Sequence, residues 1–317
     1  MTSLLQTLEW CGRQGRWVLP IGLLGGVFLP WAAEPSRYLI TPCIWLLLFL
    51  SYLRLSSSGV LQTPHSMALR FASIKGWLIV VLCTQFALPV MVFFLATALD
   101  LPDHWRMAAT LVAAASPISG SPSLVLLLKG DGESALRWLI IGTAVLPLSC
   151  LPVFLLLFEQ YSVTLLMVPA LKLLLIITSA TLAGVVVSKF SREKKHTLSL
   201  SALDGAAALT LAIMVIGLMS ALHSPDTTAR DLMQMLVLAI VINAGFQLLG
   251  TLVSKLLKTN AQRTITAGVV MGNRNVALFL SVLPASSTDA LLLFIACYQI
   301  PMYLTPLLGR VFYRQLE

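Results

Sequence analysis

The sequence predicts an all-helical protein that crosses a membrane many times, and three observations carry that expectation. Hydrophobic residues make up 58% of the chain and charged residues only 11%, where a soluble domain carries about 25% charged residues. The mean hydropathy is +0.89. Apolar runs of roughly 20 residues, long enough to span a bilayer as helices, recur along the whole chain and leave no long polar segment for a soluble domain.

Taken in order, residues 1–16 read as a short basic lead with Arg13 and Arg16. The first apolar run has no small-residue cleavage site, so no removable signal peptide is expected. Ten spans follow, at about 17–31, 38–54, 74–99, 106–128, 135–158, 164–188, 198–222, 230–256, 263–283 and 289–311. Basic residues alternate between the intervening loops. One side holds sixteen of the 21 Lys and Arg residues and the other only Arg37, Arg106 and Arg230, while Lys172 and Arg274 fall inside spans. Excess positive charge marks the cytoplasmic side, so both termini are expected there, in a cell (inner) membrane. The net charge of +8 belongs to these loops and implies no nucleic-acid partner. Cys11, Cys43, Cys83, Cys150 and Cys297 are scattered and read as small buried hydrophobes. His65, His104, His196 and His223 lie in or near loops, without metal-ligand or catalytic spacing. No metal, cofactor or enzymatic activity is expected.

Ten spans divide into two sets of five, about 17–158 and 164–311, within one transmembrane domain. An odd-numbered repeat must invert its second copy across the membrane. Paired interruptions in corresponding spans are then the best pointer to a binding site. Ser116-Pro117-Ile118-Ser119-Gly120-Ser121-Pro122-Ser123 breaks the fourth span, since two prolines and a glycine cannot continue a regular helix. Gly272-Asn273-Arg274-Asn275 breaks the ninth, inside the apolar stretch from Gly268 to Pro284. A charge at such depth costs roughly 2.5–3.5 kcal/mol on insertion scales and turns toward a cavity or a partner. The preceding spans carry the carboxamides Gln85, Asn243 and Gln247, which can clamp a neighbouring helix or line a cavity.

This pattern resembles the bile acid:sodium symporters. Gln85-Phe86-Ala87-Leu88-Pro89 looks like that family's third-span Gln-Phe-x-x-Pro, and Leu101-Pro102 with the Ser116–Ser123 break like its Pro-Gly-Gly-x-x-Ser-Asn stretch. Lys129-Gly130-Asp131 looks like the Lys/Arg-Gly-Asp that follows. Asn243-x-Gly245 and Gly272–Leu278 look like the eighth- and ninth-span signatures. The resemblance runs through nearly the whole chain. It implies two inverted five-helix repeats, broken helices 4 and 9 that cross, and core and panel domains moving in alternating access.

The departures concern the two sodium sites that the family places near its crossover. The position of the family's ninth-span Glu falls at about Val270 and that of its Gln at Arg274. Its Ser-Asn pair aligns approximately with Ser121-Pro122, and its fifth-span hydroxyls with Ala135 and Leu139. Only Gln85 matches. Two unit charges 4 Å apart interact by about 4 kcal/mol at an effective dielectric near 20, so a guanidinium at 274 repels sodium. The expectation is a secondary transporter of a small organic anion, not sodium-coupled in the family manner. Arg274 would be either a carboxylate clamp or a built-in substitute for sodium, with Asn273, Asn275, Ser119, Ser121, Ser123, Gln85 and Asn243 as polar lining. Asp204 is the candidate for proton coupling or, alternatively, a helix-start residue near the headgroups. A non-transporting membrane sensor or partner subunit on the same fold is the alternative.

Overall fold

A computed structural model describes residues 2–57, 67–159, 162–193, 199–225, 227–283 and 285–313. His65, His196, Lys194, Asp226 and Pro284 lie outside them. The described chain is helical, in two compact units: one from 1–66 and 174–227, the other from 67–173 and 228–317. Among the described residues seven helices are long and apolar enough to cross a membrane: Ile40–Ser57, Ile74–Ala98, Gly132–Leu157, Val163–Ser191, Leu200–His223, Ala229–Leu256 and Leu291–Tyr313. The three other expected spans are each split into shorter helices. α2 (Gly15–Phe28) gives way at Leu29 to α3 (Pro30–Arg37), because Pro30 carries no N–H to extend the first helix but suits the start of a new one. The fourth and ninth divide at the breaks described below.

The first unit contains α1 (Thr2–Arg13), α2, α3, α4 (Ile40–Ser57), the end of α10 (Val163–Glu193), and α11 (Leu200–Leu218) with a tight 3-10 turn at Met219–His223. Residues 2–13, expected only as a basic lead, form a helix that lies against α11. A Cβ on Gly205 would come within 1.8 Å of the Leu8 carbonyl oxygen, so the two backbones approach closely only because that Cβ is missing. Arg54 Nε meets Asp204 Oδ1 at 2.9 Å, and Trp45 Nε1 donates to Ser179 Oγ at 3.0 Å.

The second unit contains α5 (Met67–Leu82), α6 (Leu88–Ala98), α7 (Asp103–Ala114), α8 (Ser121–Leu127), α9 (Gly132–Leu157) and the start of α10. It also holds α12 (Ala229–Leu256), α13 (Ala261–Gly272), α14 (Ala277–Leu280) and α15 (Ala285–Tyr313). Between α5 and α6 the chain makes a π-helical turn, Cys83–Ala87. Pro89 lacks the N–H that would bond the residue 85 carbonyl and its ring crowds that carbonyl, so the helix widens there.

The leading helices of the two short-helix pairs begin alike. α7 and α13 are both 12 residues long. Each begins three residues after a non-glycine with positive φ, Asp100 at 50° and Lys258 at 54°. Lys129, φ 62°, turns the chain from α8 into α9. Asp131 caps α9 by accepting from the backbone N–H groups of Glu133 and Ser134, both at 3.1 Å, while its own N–H donates to Thr266 Oγ1 of α13 at 2.8 Å. The Lys129-Gly130-Asp131 turn therefore ties the first break's far side to the second break's near side.

Candidate functional site

The two breaks meet. Residues 116–118 and 273–275 run past each other as short non-helical segments, with an antiparallel bridge between Pro117 and Arg274. Ile118 N donates to Asn273 O at 3.1 Å and Asn275 N to Ser116 O at 2.8 Å. Pro117 and Arg274 thus occupy the pair whose own N–H groups do not join the ladder, the one register a proline can take without losing a bond.

Arg274 is the centre of this crossover and is 1% exposed. Its Nε donates to Met271 O at 3.1 Å, its Nη1 to Ala115 O at 3.0 Å and its Nη2 to Met271 Sδ at 2.8 Å. Its guanidinium carbon lies 5.9 Å from the centre of the Trp138 ring. Ala115 follows the last residue of α7 and Met271 is the last residue but one of α13. A helix C-terminus carries roughly −0.5 elementary charge, so one guanidinium shared by two such ends is close to neutralised. Among the described residues no carboxylate pairs with it. A substrate could reach this guanidinium only by displacing those bonds.

Carboxamides hold the same two helix ends. Gln85 Nε2 donates to Ala115 O at 3.5 Å, and Asn243 Nδ2 to Gly272 O at 2.5 Å. Gly142 of α9 lets Gln85 in, since a Cβ there would lie 2.8 Å from Gln85 Nε2 and 3.2 Å from Pro117 Cδ. Tyr298 OH shares Gly272 O at 2.5 Å. Asn273 Nδ2 turns back to Val269 O at 2.7 Å, and its Oδ1 accepts from Thr305 at 3.2 Å. Gln247 links Asn243 Oδ1 at 2.7 Å to Thr305 Oγ1 at 3.2 Å, and its Oε1 accepts from Tyr313 OH at 3.1 Å.

The expected lining residues therefore separate into groups. Gln85, Asn243, Asn273 and Arg274 are buried and engaged in holding the breaks. Ser121 is also buried, but its hydroxyl has no hydrogen-bond partner among the described residues; neither do Ser116 Oγ, Gln85 Oε1 and Trp138 Nε1. Asn275, Ser119 and Ser123 are half-buried, with side chains that no described residue bonds. Val270, Ala135 and Leu139 are buried apolar side chains. Asp204 is not part of this cluster: it belongs to the first unit, in the second turn of α11, paired with Arg54. Four cysteines are buried as expected, but Cys83 is exposed.

Sequence reasoning missed Ala115, Met271, Trp138, Gly142, Tyr298 and Thr305. Ala115 acts through its backbone carbonyl, which leaves no residue-type signature, and Met271 through its carbonyl and its thioether sulfur. Tyr298 and Thr305 were legible as polar residues within an apolar span. No protein-family profile matches the chain, and comparison with curated protein sequences finds no significant relative.

Proposed function

We propose that this protein is a secondary transporter of small organic anions that works without sodium, on the ten-span, inverted-repeat plan of the bile acid:sodium symporters. The observation that carries the reading is the crossover itself: two interrupted helices end against each other, and Arg274 is the resident cation between their carbonyl ends. Discontinuous helices that meet inside a bundle are a recurrent way of building a transporter's binding site. Here the positive charge that such a site borrows from an ion is attached to the chain.

Other features support the plan. The positive-φ residue, the 12-residue helix and the carboxamide that braces it recur 158 residues apart, as Asp100 and Lys258, α7 and α13, Gln85 and Asn243. Each half of the chain contributes to both compact units, as a repeat shared between core and panel domains requires. The half-buried Asn275, Ser119 and Ser123 are the groups left free for substrate, and the unpartnered buried hydroxyls nearby favour a polar guest. In this reading the protein sits in the cell membrane with both termini in the cytoplasm.

The test is uptake of a panel of small organic anions into vesicles carrying the purified protein, with sodium replaced by choline at constant ionic strength. The expected result is uptake of at least one anion at the same rate in both media. Steep, saturable sodium dependence would overturn the resident-cation reading. Binding without uptake, by protein that is demonstrably folded, would favour a membrane sensor on this fold.

A further inference from the structure

Three cations stand at the hairpin between α12 and α13, and local helix chemistry accounts for only one of them. Lys255 lies in the last turn of α12, where a cation complements the negative helix end. Lys258 follows that end with φ 54°, a left-handed backbone that glycine or asparagine adopts more readily. Arg263 is the third residue of α13, at the positive end of that helix, where a cation is unfavourable. Among the described residues no carboxylate pairs with Lys255 or Lys258. Arg263, its side chain 65% exposed, reaches only Asp131, at 4.0 Å. Asp131 is already satisfied by the N–H groups of Glu133 and Ser134 and by the Ser134 hydroxyl at 2.6 Å. The hairpin therefore gathers positive charge that its neighbours leave largely unanswered.

Leading up to these cations, α12 carries an apolar track. Leu248, Leu252 and Leu256 follow one another at four-residue spacing, hence on one face, and all three are exposed. Lys255 shares that face, seven residues after Leu248 and three after Leu252. The track is about 12 Å long at 1.5 Å per residue, and it ends where α12 ends, at Leu256. We propose that an anionic phospholipid binds here, its phosphate among Lys255, Lys258 and Arg263 and an acyl chain along the three leucines. The charges stand at the end of a membrane-spanning helix, at the level of the headgroups. Head and tail of a phospholipid thus meet their counterparts in the right order. Free phosphate or an acidic peptide would leave the leucine track unused. The inference goes beyond the transport reading and is independent of it; it rests on the membrane-spanning character of α12.

The experiment uses the full-length protein in nanodiscs of phosphatidylcholine with a graded fraction of phosphatidylglycerol, and reads the melting temperature. Phosphatidylglycerol is expected to raise it saturably, and inorganic phosphate at matched ionic strength is expected not to. Each cation beside an anionic lipid contributes roughly fivefold in affinity, so Lys258→Gln/Arg263→Gln should need at least about tenfold more phosphatidylglycerol for half the rise. Lys258→Gly removes one charge while suiting the left-handed turn. It should melt no lower than wild type in pure phosphatidylcholine, yet need roughly fivefold more phosphatidylglycerol. Arg13→Gln/Lys189→Gln removes two exposed cations of the first unit instead, and should respond to phosphatidylglycerol as wild type does. A melting temperature indifferent to phosphatidylglycerol, or raised equally in wild type and the hairpin variants, would overturn the inference. So would an equal loss of response in Arg13→Gln/Lys189→Gln, because the lipid would then answer general surface charge. An equal rise with inorganic phosphate would overturn it too, because the hairpin would then take a free anion.

Discussion

Replacing Arg274 by glutamine removes the cation from between two helix ends. The guanidinium donates to Ala115 O at 3.0 Å and Met271 O at 3.1 Å. Hydrogen bonds from a charged group contribute about 1.5–3 kcal/mol each, which sets a loss of about 3–6 kcal/mol for the pair. Relief of the cost of burying a guanidinium acts in the opposite direction. The net expectation is a destabilisation of about 3 kcal/mol, at the lower end of what breaking a buried charged interaction costs. Arg274→Lys keeps a charge between the helix ends but not the fork that reaches both carbonyls, so it should fall between wild type and Arg274→Gln. The assay is equilibrium unfolding in mixed micelles, with anion affinity per folded molecule measured on the same samples. Stability of Arg274→Gln within about 0.5 kcal/mol of wild type, the scatter expected of an inconsequential substitution, would refute the argument that Arg274 neutralises the crossover. A fall in affinity per folded molecule would show instead that the guanidinium reaches substrate.

Two further outcomes follow from the geometry and a third from the charge of the loops. Gly272→Ala would put a Cβ 2.2 Å from Gln247 Cγ and 2.8 Å from Asn243 O, and should cost about 1–3 kcal/mol of overpacking; Gly245→Ala, with nothing within 4 Å of the new Cβ, should be neutral or stabilising by up to about 1 kcal/mol, and equal unfolding curves for the two would contradict this. Burial pushes the Asp131 carboxyl up, but the Ser134 hydroxyl, the backbone N–H groups of Ser134 and Glu133, and Arg263 hold it lower overall, below the usual carboxylate range. Its stabilising contribution is therefore complete above the ordinary aspartate pKa of about 3.9 and is lost as pH falls through the lowered value, so Asp131→Asn should flatten the stability profile in that acid range and leave the remainder of its shape unchanged. Single cysteines at positions 194 and 226, in a cysteine-free background on intact cells, should label with an impermeant thiol reagent at 226 and not at 194; the reverse pattern would overturn the proposed topology.

Local chemistry made much of this protein readable from its residues. Length and hydropathy mark the long helices, because a bilayer span needs its backbone bonds satisfied internally wherever the chain goes afterwards. Pro117, Gly120 and the Gly272–Asn275 run mark the two breaks, because the absence of an N–H or of a side chain acts at its own position. The same deep positive charge that singled out Arg274 also made Lys172 visible as a charge within a span. The sequence could not say which of the two charges is engaged.

The tertiary structure decided that, and the reason is general. In water, the apolar stripe of a helix identifies its buried side. In a bilayer, lipid-facing and core-facing residues are both apolar, so the pattern does not tell Cys83, which faces out, from Cys150, which faces in. The bonds that satisfy Arg274 come from Met271, three residues away, and from Ala115, 159 residues away. Two of the three bonds end on backbone carbonyls, identical in every residue type, and the third on the Met271 sulfur. Asp204 likewise meets Arg54 from far away in the sequence. The sequence by itself determined where the helices run, where they fail and where charge is buried at a cost; only the fold determined which distant carbonyls answer that charge, because those partners are chosen by position in space.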